Sequence, residues 1–210
     1  MDCTLYVITD AKLSRGRSHL EVAQAAIEGG ASIIQFRDKE MSTRQLVETA
    51  RKIKELTDEA TIPLIINDRL DVASAVDADG VHVGQDDMPA ALARQLIGPH
   101  KILGVSASTV EEALQAEREG ADYVSASPVF TTPTKPDAPP PTGLEGLRAI
   151  VEAVNLPVIA IGGINEKNAA EVIEAGAQGI AVISAVISAP DIVAAARYLR
   201  ETVEAARKGI

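Results

Sequence analysis

Short apolar runs recur along the whole chain, at residues 5–8, 32–36, 64–66, 80–83, 102–105, 123–126, 158–161 and 179–183. Segments with helical periodicity lie between most of them. Ser18 with Glu21, and Ser42 with Gln45, match the reciprocal pattern that starts a helix. Leu46, Ala50 and Ile53 then share one face of the second helix. Asn165 is the expected cap of a later helix that runs through Val172 and Ile173 and stops at Gly176. Three helix-to-strand junctions nearly repeat: Glu28-Gly29-Gly30-Ala31, Glu119-Gly120-Ala121-Asp122 and Glu174-Ala175-Gly176-Ala177. Glycine ends a helix at little cost, so the recurrence marks a repeated strand–helix unit. Eight such units in 210 residues predict one α/β domain over residues 1–210, a closed (β/α)8 TIM barrel. A doubly wound open sheet is the less favoured alternative.

Composition narrows what this barrel can do. Hydrophobic residues make up 46% of the chain and aromatics only 2%, so the core must be aliphatic. The net charge of −10 argues against nucleic acid or an anionic membrane as a partner. One cysteine, Cys3, excludes an internal disulfide and a cysteine-based zinc site, in keeping with a reducing compartment. His19, His82 and His100 show no metal-ligand spacing; His82, between Val81 and Val83, reads as an inward-facing supporting residue. The N-terminus lacks signal-peptide character and no apolar run approaches membrane-spanning length, so a cytoplasmic location is expected.

Polar residues collect after seven of the eight strands, at the end where barrels carry their sites. Gln35-Phe36-Arg37-Asp38-Lys39 follows the second strand and reads either as a seat for a phosphorylated anion or as a surface charge cluster. Asn67 and Asp68 follow the third, and Gln85-Asp86-Asp87 the fourth. Ser106 follows the fifth, and Thr132, Thr134 and Lys135 the sixth. Gly162-Gly163 and Ile183-Ser184 close the list of strand ends. Asp68 and Asp87 suit Mg²⁺, which takes one or two carboxylates plus phosphate oxygens and water. Each also has a local reading, Asp68 as a helix N-cap and Asp87 as a first-turn acid. Gly162-Gly163 and Ile183-Ser184 suggest a second anion site made by backbone N–H groups, although paired glycines also serve tight packing. Two anion sites imply two phosphorylated substrates. No serine or cysteine nucleophile stands with a base, so the chemistry rests on ionising a leaving group. A long proline-rich loop over residues 127–143 has the composition of a phosphate-closing lid.

Taken in order, Tyr6-Val7-Ile8-Thr9-Asp10, Gln35-Phe36-Arg37-Asp38-Lys39, Ile66-Asn67-Asp68-Arg69, Gly80-Val81-His82-Val83-Gly84-Gln85-Asp86-Asp87, Gly104-Val105-Ser106, Thr132-Pro133-Thr134-Lys135 and Ala160-Ile161-Gly162-Gly163-Ile164 resemble the thiamine-phosphate synthase family. The resemblance runs along nearly the whole chain. It implies a (β/α)8 barrel that joins 4-amino-5-hydroxymethyl-2-methylpyrimidine pyrophosphate to 4-methyl-5-(2-hydroxyethyl)thiazole phosphate and releases pyrophosphate. It places the pyrimidine pyrophosphate on Gln35, Phe36, Arg37, Asp38, Lys39, Asn67, Ser106 and Lys135, with Arg37, Lys39, Ser106 and Lys135 in catalytic roles. Mg²⁺ falls to Asp68 and Asp87. The thiazole phosphate falls to Thr132, Pro133, Thr134, Gly163, Ile183 and Ser184. The implied partners are these two small molecules, with a homo-oligomer also permitted. Two departures stand out: Ser125 and Ser127 replace glycines common in the family, and Ser108 replaces a frequent histidine. A thiazole phosphate tautomerase of the same fold uses a histidine in that region and lacks the full pyrophosphate set. That enzyme, or a barrel that only binds phosphate, is the alternative.

Overall fold

In the computed structural model, which describes residues 1–132, 134 and 139–209, every apolar run is a strand. The strands are β1 (Leu5–Ile8), β2 (Ile33–Phe36), β3 (Leu64–Asn67), β4 (Gly80–Val83), β5 (Ile102–Ala107), β6 (Tyr123–Ala126), β7 (Val158–Ile161) and β8 (Gly179–Val182). They pair in parallel and in chain order, and β8 returns to β1, closing the barrel. Helices alternate with them: α1 (His19–Glu28), α2 (Thr43–Ala60), α3 (Leu70–Ala75), α4 (Ala90–Ile97), α5 (Val110–Arg118), α6 (Gly143–Ala153) and α7 (Ala169–Glu174). After β8 come the single turn α8 (Ser184–Ile187) and the closing helix α9 (Ile192–Lys208). Among the described residues no helix is long and apolar enough to cross a membrane.

Local signals explain where the elements begin and end. Both expected capping boxes form, with Ser18 and Ser42 accepting from the backbone of Glu21 and Gln45, which reciprocate. Gly30, Gly120 and Gly176 all take positive φ after their helices. Asn165 is a correction. Helix α7 starts only at Ala169, and the Asn165 side chain instead accepts from Lys167 N at 3.0 Å, closing a turn before the helix. The helical pattern through Val172 and Ile173 could not reveal that extra turn, because an Asx turn and an N-cap use the same side-chain chemistry.

Strand alternation sorts side chains into two layers. Ile34, Phe36, Val7, Leu64 and Leu103 point outward into the aliphatic shell beneath the helices, and each is almost completely buried. Tyr6, Ile8, Ile33, Ile65, Tyr123, Ile159 and Ala181 point inward and fill the barrel. Fully burying one such aliphatic side chain contributes about 1.5–3 kcal/mol, so this double layer dominates the favourable side of folding. Helix α9 packs on α1, α7 and β1, and Arg207 from its last turns donates to Thr4 Oγ1 at 2.7 Å. The C-terminus therefore holds the first strand against the last.

Candidate active site

A cavity of about 470 Å³ opens at the carboxyl ends of the strands, a size suited to small molecules. It is lined by Gln35, Arg37, Lys39, Asn67, Asp68, Asp87, Ser106, Thr132, Thr134, Gly163, Ile183 and Ser184. Strand geometry explains which members of the stretch after β2 arrive there. Gln35 faces inward, and Arg37 and Lys39 continue the alternation into the mouth. Phe36 and Asp38 are corrections to the expected binding set: neither lines the cavity, because period-two alternation turns both side chains away. Phe36 is 1% exposed in the outer shell, with its ring edge-on to His19 at 4.9 Å. Asp38 accepts from the Glu40 and Met41 backbone N–H groups at 2.8 and 2.7 Å and pairs with His19 Nε2 at 2.9 Å. Burial opposes its ionisation, but those hydrogen bonds win and hold its carboxyl below the usual range. Asp38 thus shapes the turn that carries Arg37 and Lys39.

The β2–β4 rim is densely charged. Arg37 pairs with Asp10 at 2.6 Å, a carboxylate just past the end of β1. Lys39 pairs with Asp68, whose other carboxyl oxygen accepts from Asn67 Nδ2 at 2.8 Å. Asp68 holds a left-handed backbone, φ 57°, and caps no helix; α3 has no side-chain cap at all. Asp87 lies ahead of α4 and accepts from Gly84 N at 2.8 Å, so the first-turn reading also fails. Burial pushes the Asp68 carboxyl above the usual carboxylate range; Lys39 partly offsets this, and Asp87, within hydrogen-bonding reach, adds to the upward push. Two carboxyl groups crowded together in this way suit a shared divalent cation. Among the described residues no three His, Cys, Asp or Glu side chains cluster, so any cation here must draw further oxygens from ligand and water. The donor set fits Mg²⁺.

Among the described residues that line the cavity from the ends of β6, β7 and β8, none is charged. Gly162 and Gly163 take φ of 100° and 65°. A Cβ on Gly163 would sit 2.6 Å from Thr131 O, and one on Gly162 would sit 2.5 Å from Pro128 Cβ. Tight packing therefore does require both glycines, as the structural reading of the pair held. The same closeness seats the start of the β6 loop: Val129 N and Phe130 N donate to Ile161 O and Gly162 O at 2.8 and 3.0 Å. Asn165 and Asn168 both donate to Gly163 O, at 3.1 and 3.0 Å, and fix the turn after the paired glycines. Thr134 N donates to Thr132 Oγ1 at 3.2 Å. Pro133 and Lys135 lie outside the described residues, as does part of the expected lid.

The floor holds what sequence reading missed. Tyr6 bridges Gln35 and Tyr123, and Tyr123 reaches His82, which reaches Ser106. Burial drives the His82 pKa down to about 4, with Asp87 opposing weakly, so the imidazole is neutral at pH 7. Two buried tyrosines in a chain this poor in aromatics were the available signal. Ser125 and Ser127 line the cavity as expected, whereas Ser108 turns to Glu112 on α5 at 2.9 Å. A side chain at position 108 thus belongs to the helix side.

The comparisons agree with this geometry. A family model described as thiamine monophosphate synthase matches residues 5–186. The thiamine-phosphate synthase of Chloroflexus aurantiacus is 63% identical over 97% of this chain and 94% of its own. That of Moorella thermoacetica is 58% identical over 97% of each chain. The solved thiamine phosphate pyrophosphorylase from Pyrococcus furiosus superposes with a TM-score of 0.91 at 48% identity, covering 98% of this chain and 97% of that one. A 3-hexulose-6-phosphate synthase, 21% identical with a TM-score of 0.70, shares the fold. With its barrel and sequence matched end to end, the chain belongs to the thiamine-phosphate synthase family.

Proposed function

We propose that this barrel condenses 4-amino-5-hydroxymethyl-2-methylpyrimidine pyrophosphate with 4-methyl-5-(2-hydroxyethyl)thiazole phosphate, giving thiamine phosphate and pyrophosphate. The observation that carries the detail is that, among the described residues, one side of the cavity is lined by charged side chains and the opposite side by none. The pyrophosphate end belongs on the charged rim, against Arg37, Lys39 and Asn67, with Ser106 below and Gln35 orienting the pyrimidine. The thiazole phosphate belongs opposite, on Thr132, Thr134, Gly163, Ile183 and Ser184, where N–H and O–H groups serve a monoester. Lys135 and Pro133 join these two groups on the family resemblance.

Asp68 and Asp87 are the residues that would hold Mg²⁺, which when bound neutralises charge on the departing pyrophosphate. Arg37 and Lys39 add fixed positive charge beside the same leaving group, a stabilisation worth most where charge develops. Lys39, paired with Asp68 in the ligand-free protein, must exchange that carboxylate for a phosphate oxygen when substrate arrives. Departure of pyrophosphate leaves a pyrimidine-methyl cation, and the thiazole nitrogen held across the cavity captures it. A cavity walled by Ile161, Ile164 and Ile183 limits the water that competes for that cation.

Purified protein given both substrates and Mg²⁺ should form thiamine phosphate and pyrophosphate in equal amounts. Binding of both substrates without product would overturn the proposal.

A further inference from the structure

The barrel floor contains a continuous chain of five hydrogen-bonding side chains from five strands. Gln35 Nε2 lies 2.7 Å from Tyr6 Oη, Tyr6 Oη 2.9 Å from Tyr123 Oη, Tyr123 Oη 2.9 Å from His82 Nδ1, and His82 Nε2 2.9 Å from Ser106 Oγ. Tyr6, Gln35, His82 and Tyr123 are all buried, and the two ends, Gln35 and Ser106, both line the cavity. The backbone makes room for this chain. A Cβ on Gly104, the register partner of Tyr123, would lie 2.0 Å from the Tyr123 ring.

We propose that Tyr6, Tyr123 and His82 form a one-way relay that fixes Gln35 as an acceptor and Ser106 as a donor toward the ligand. The donor count dictates the direction. Gln35 donates its amide N–H to Tyr6, so in the ligand-free protein the Tyr6 hydroxyl hydrogen has Tyr123 as its one protein partner. Tyr123 must then send its own hydrogen to His82 Nδ1. A ring that accepts at Nδ1 carries its proton on Nε2 and donates to Ser106. Ser106 keeps its hydroxyl hydrogen for the cavity, and Gln35 keeps its carbonyl oxygen. The complementary ligand offers an N–H to Gln35 and an acceptor oxygen or nitrogen to Ser106. An aminopyrimidine with a phosphorylated arm has that pattern, and this choice of ligand rests on the proposed function; the direction of the relay does not. Tyr123 lies outside the cavity lining and acts as a positioning residue; Tyr6 stands on the cavity floor and acts through Gln35 and Tyr123.

Ring-¹⁵N NMR of the ligand-free protein tests the direction, with the His82 resonances identified by their loss in His82→Gln. The expected result is a neutral His82 protonated on Nε2. In Tyr123→Phe that tautomer preference should be lost, and KM for the pyrimidine pyrophosphate should rise about tenfold with a smaller change in kcat. Tyr6→Phe should raise KM similarly but leave the His82 tautomer intact, since Tyr123 still donates. Thiazole phosphate affinity should stay within about twofold in both variants, as neither tyrosine faces its rim. A wild-type proton on Nδ1, or a Tyr123→Phe protein that melts lower with its tautomer unchanged, would overturn the relay. An Nε2 proton in a protein that makes no thiamine phosphate would support the relay and overturn the functional reading.

Discussion

The two rims of this cavity are built from different chemistry. The β2–β4 rim sets Arg37 and Lys39 against Asp10, Asp68 and Asp87, so each cation already has a carboxylate partner. The β6–β8 rim offers glycine backbone, threonine and serine hydroxyls and no described charge. In a chain of net charge −10, a free cluster of cations would be a local exception. Pairing each cation internally keeps the rim ordered and lets a more highly charged ligand compete for it. The uncharged rim needs no such exchange, because N–H and O–H groups bind a monoester directly. In the proposed arrangement, the leaving group that must gain charge takes the first rim, and the phosphate that stays unchanged throughout takes the second.

The sharpest way to break this contrast is Asp87→Ala. Turnover should fall by roughly a thousandfold, while thiazole phosphate affinity, read by calorimetry, changes less than about twofold. Equal losses would mean that the rims are not separate. The floor that joins them should respond to acid. The unfolded chain protonates His82 near its ordinary value of 6.5, whereas the folded imidazole resists until about pH 4. Between those values the unfolded state binds more protons, so folding stability falls as pH drops through this window, by up to about 3 kcal/mol from this group. Denaturant melts at pH 7 and pH 4.5 should show that loss, and His82→Gln should reduce it. Lys39→Ala should slow turnover by about a hundredfold and raise the Mg²⁺ affinity of the ligand-free protein, since Asp68 then lacks its ammonium partner. Gly163→Ala should have the smallest effect. Positive φ and the 2.6 Å approach to Thr131 O should raise KM for thiazole phosphate about tenfold and leave pyrimidine pyrophosphate binding unchanged.

Much of the barrel was legible because its signals are local. Eight apolar runs, two capping boxes and three glycine-ended helices each depend on residues within a few positions of one another. Most of the cavity lining was legible for the same reason: parallel strands all end at one face, so residues after each strand are gathered automatically. The failures also have physical causes. Phe36 and Asp38 sit in the right stretch but on the wrong side of the strand's alternation. Asn165 uses cap chemistry on a turn one step early. Asp10 looked like an unremarkable residue after β1 until closure brought it to Arg37.

The amino-acid sequence by itself determined the number of strands, their burial on both faces, and the end of the barrel at which chemistry collects. Those properties follow from periodicity and from the parallel βα repeat. Only the tertiary structure decided the pairings: Tyr6 with Tyr123 across 117 positions, His82 with Ser106 across 24, and Lys39 with Asp68 across 29. Such contacts depend on the stagger between strands and on which way each side chain turns. Both are set when β8 closes on β1, because closure fixes every register at once.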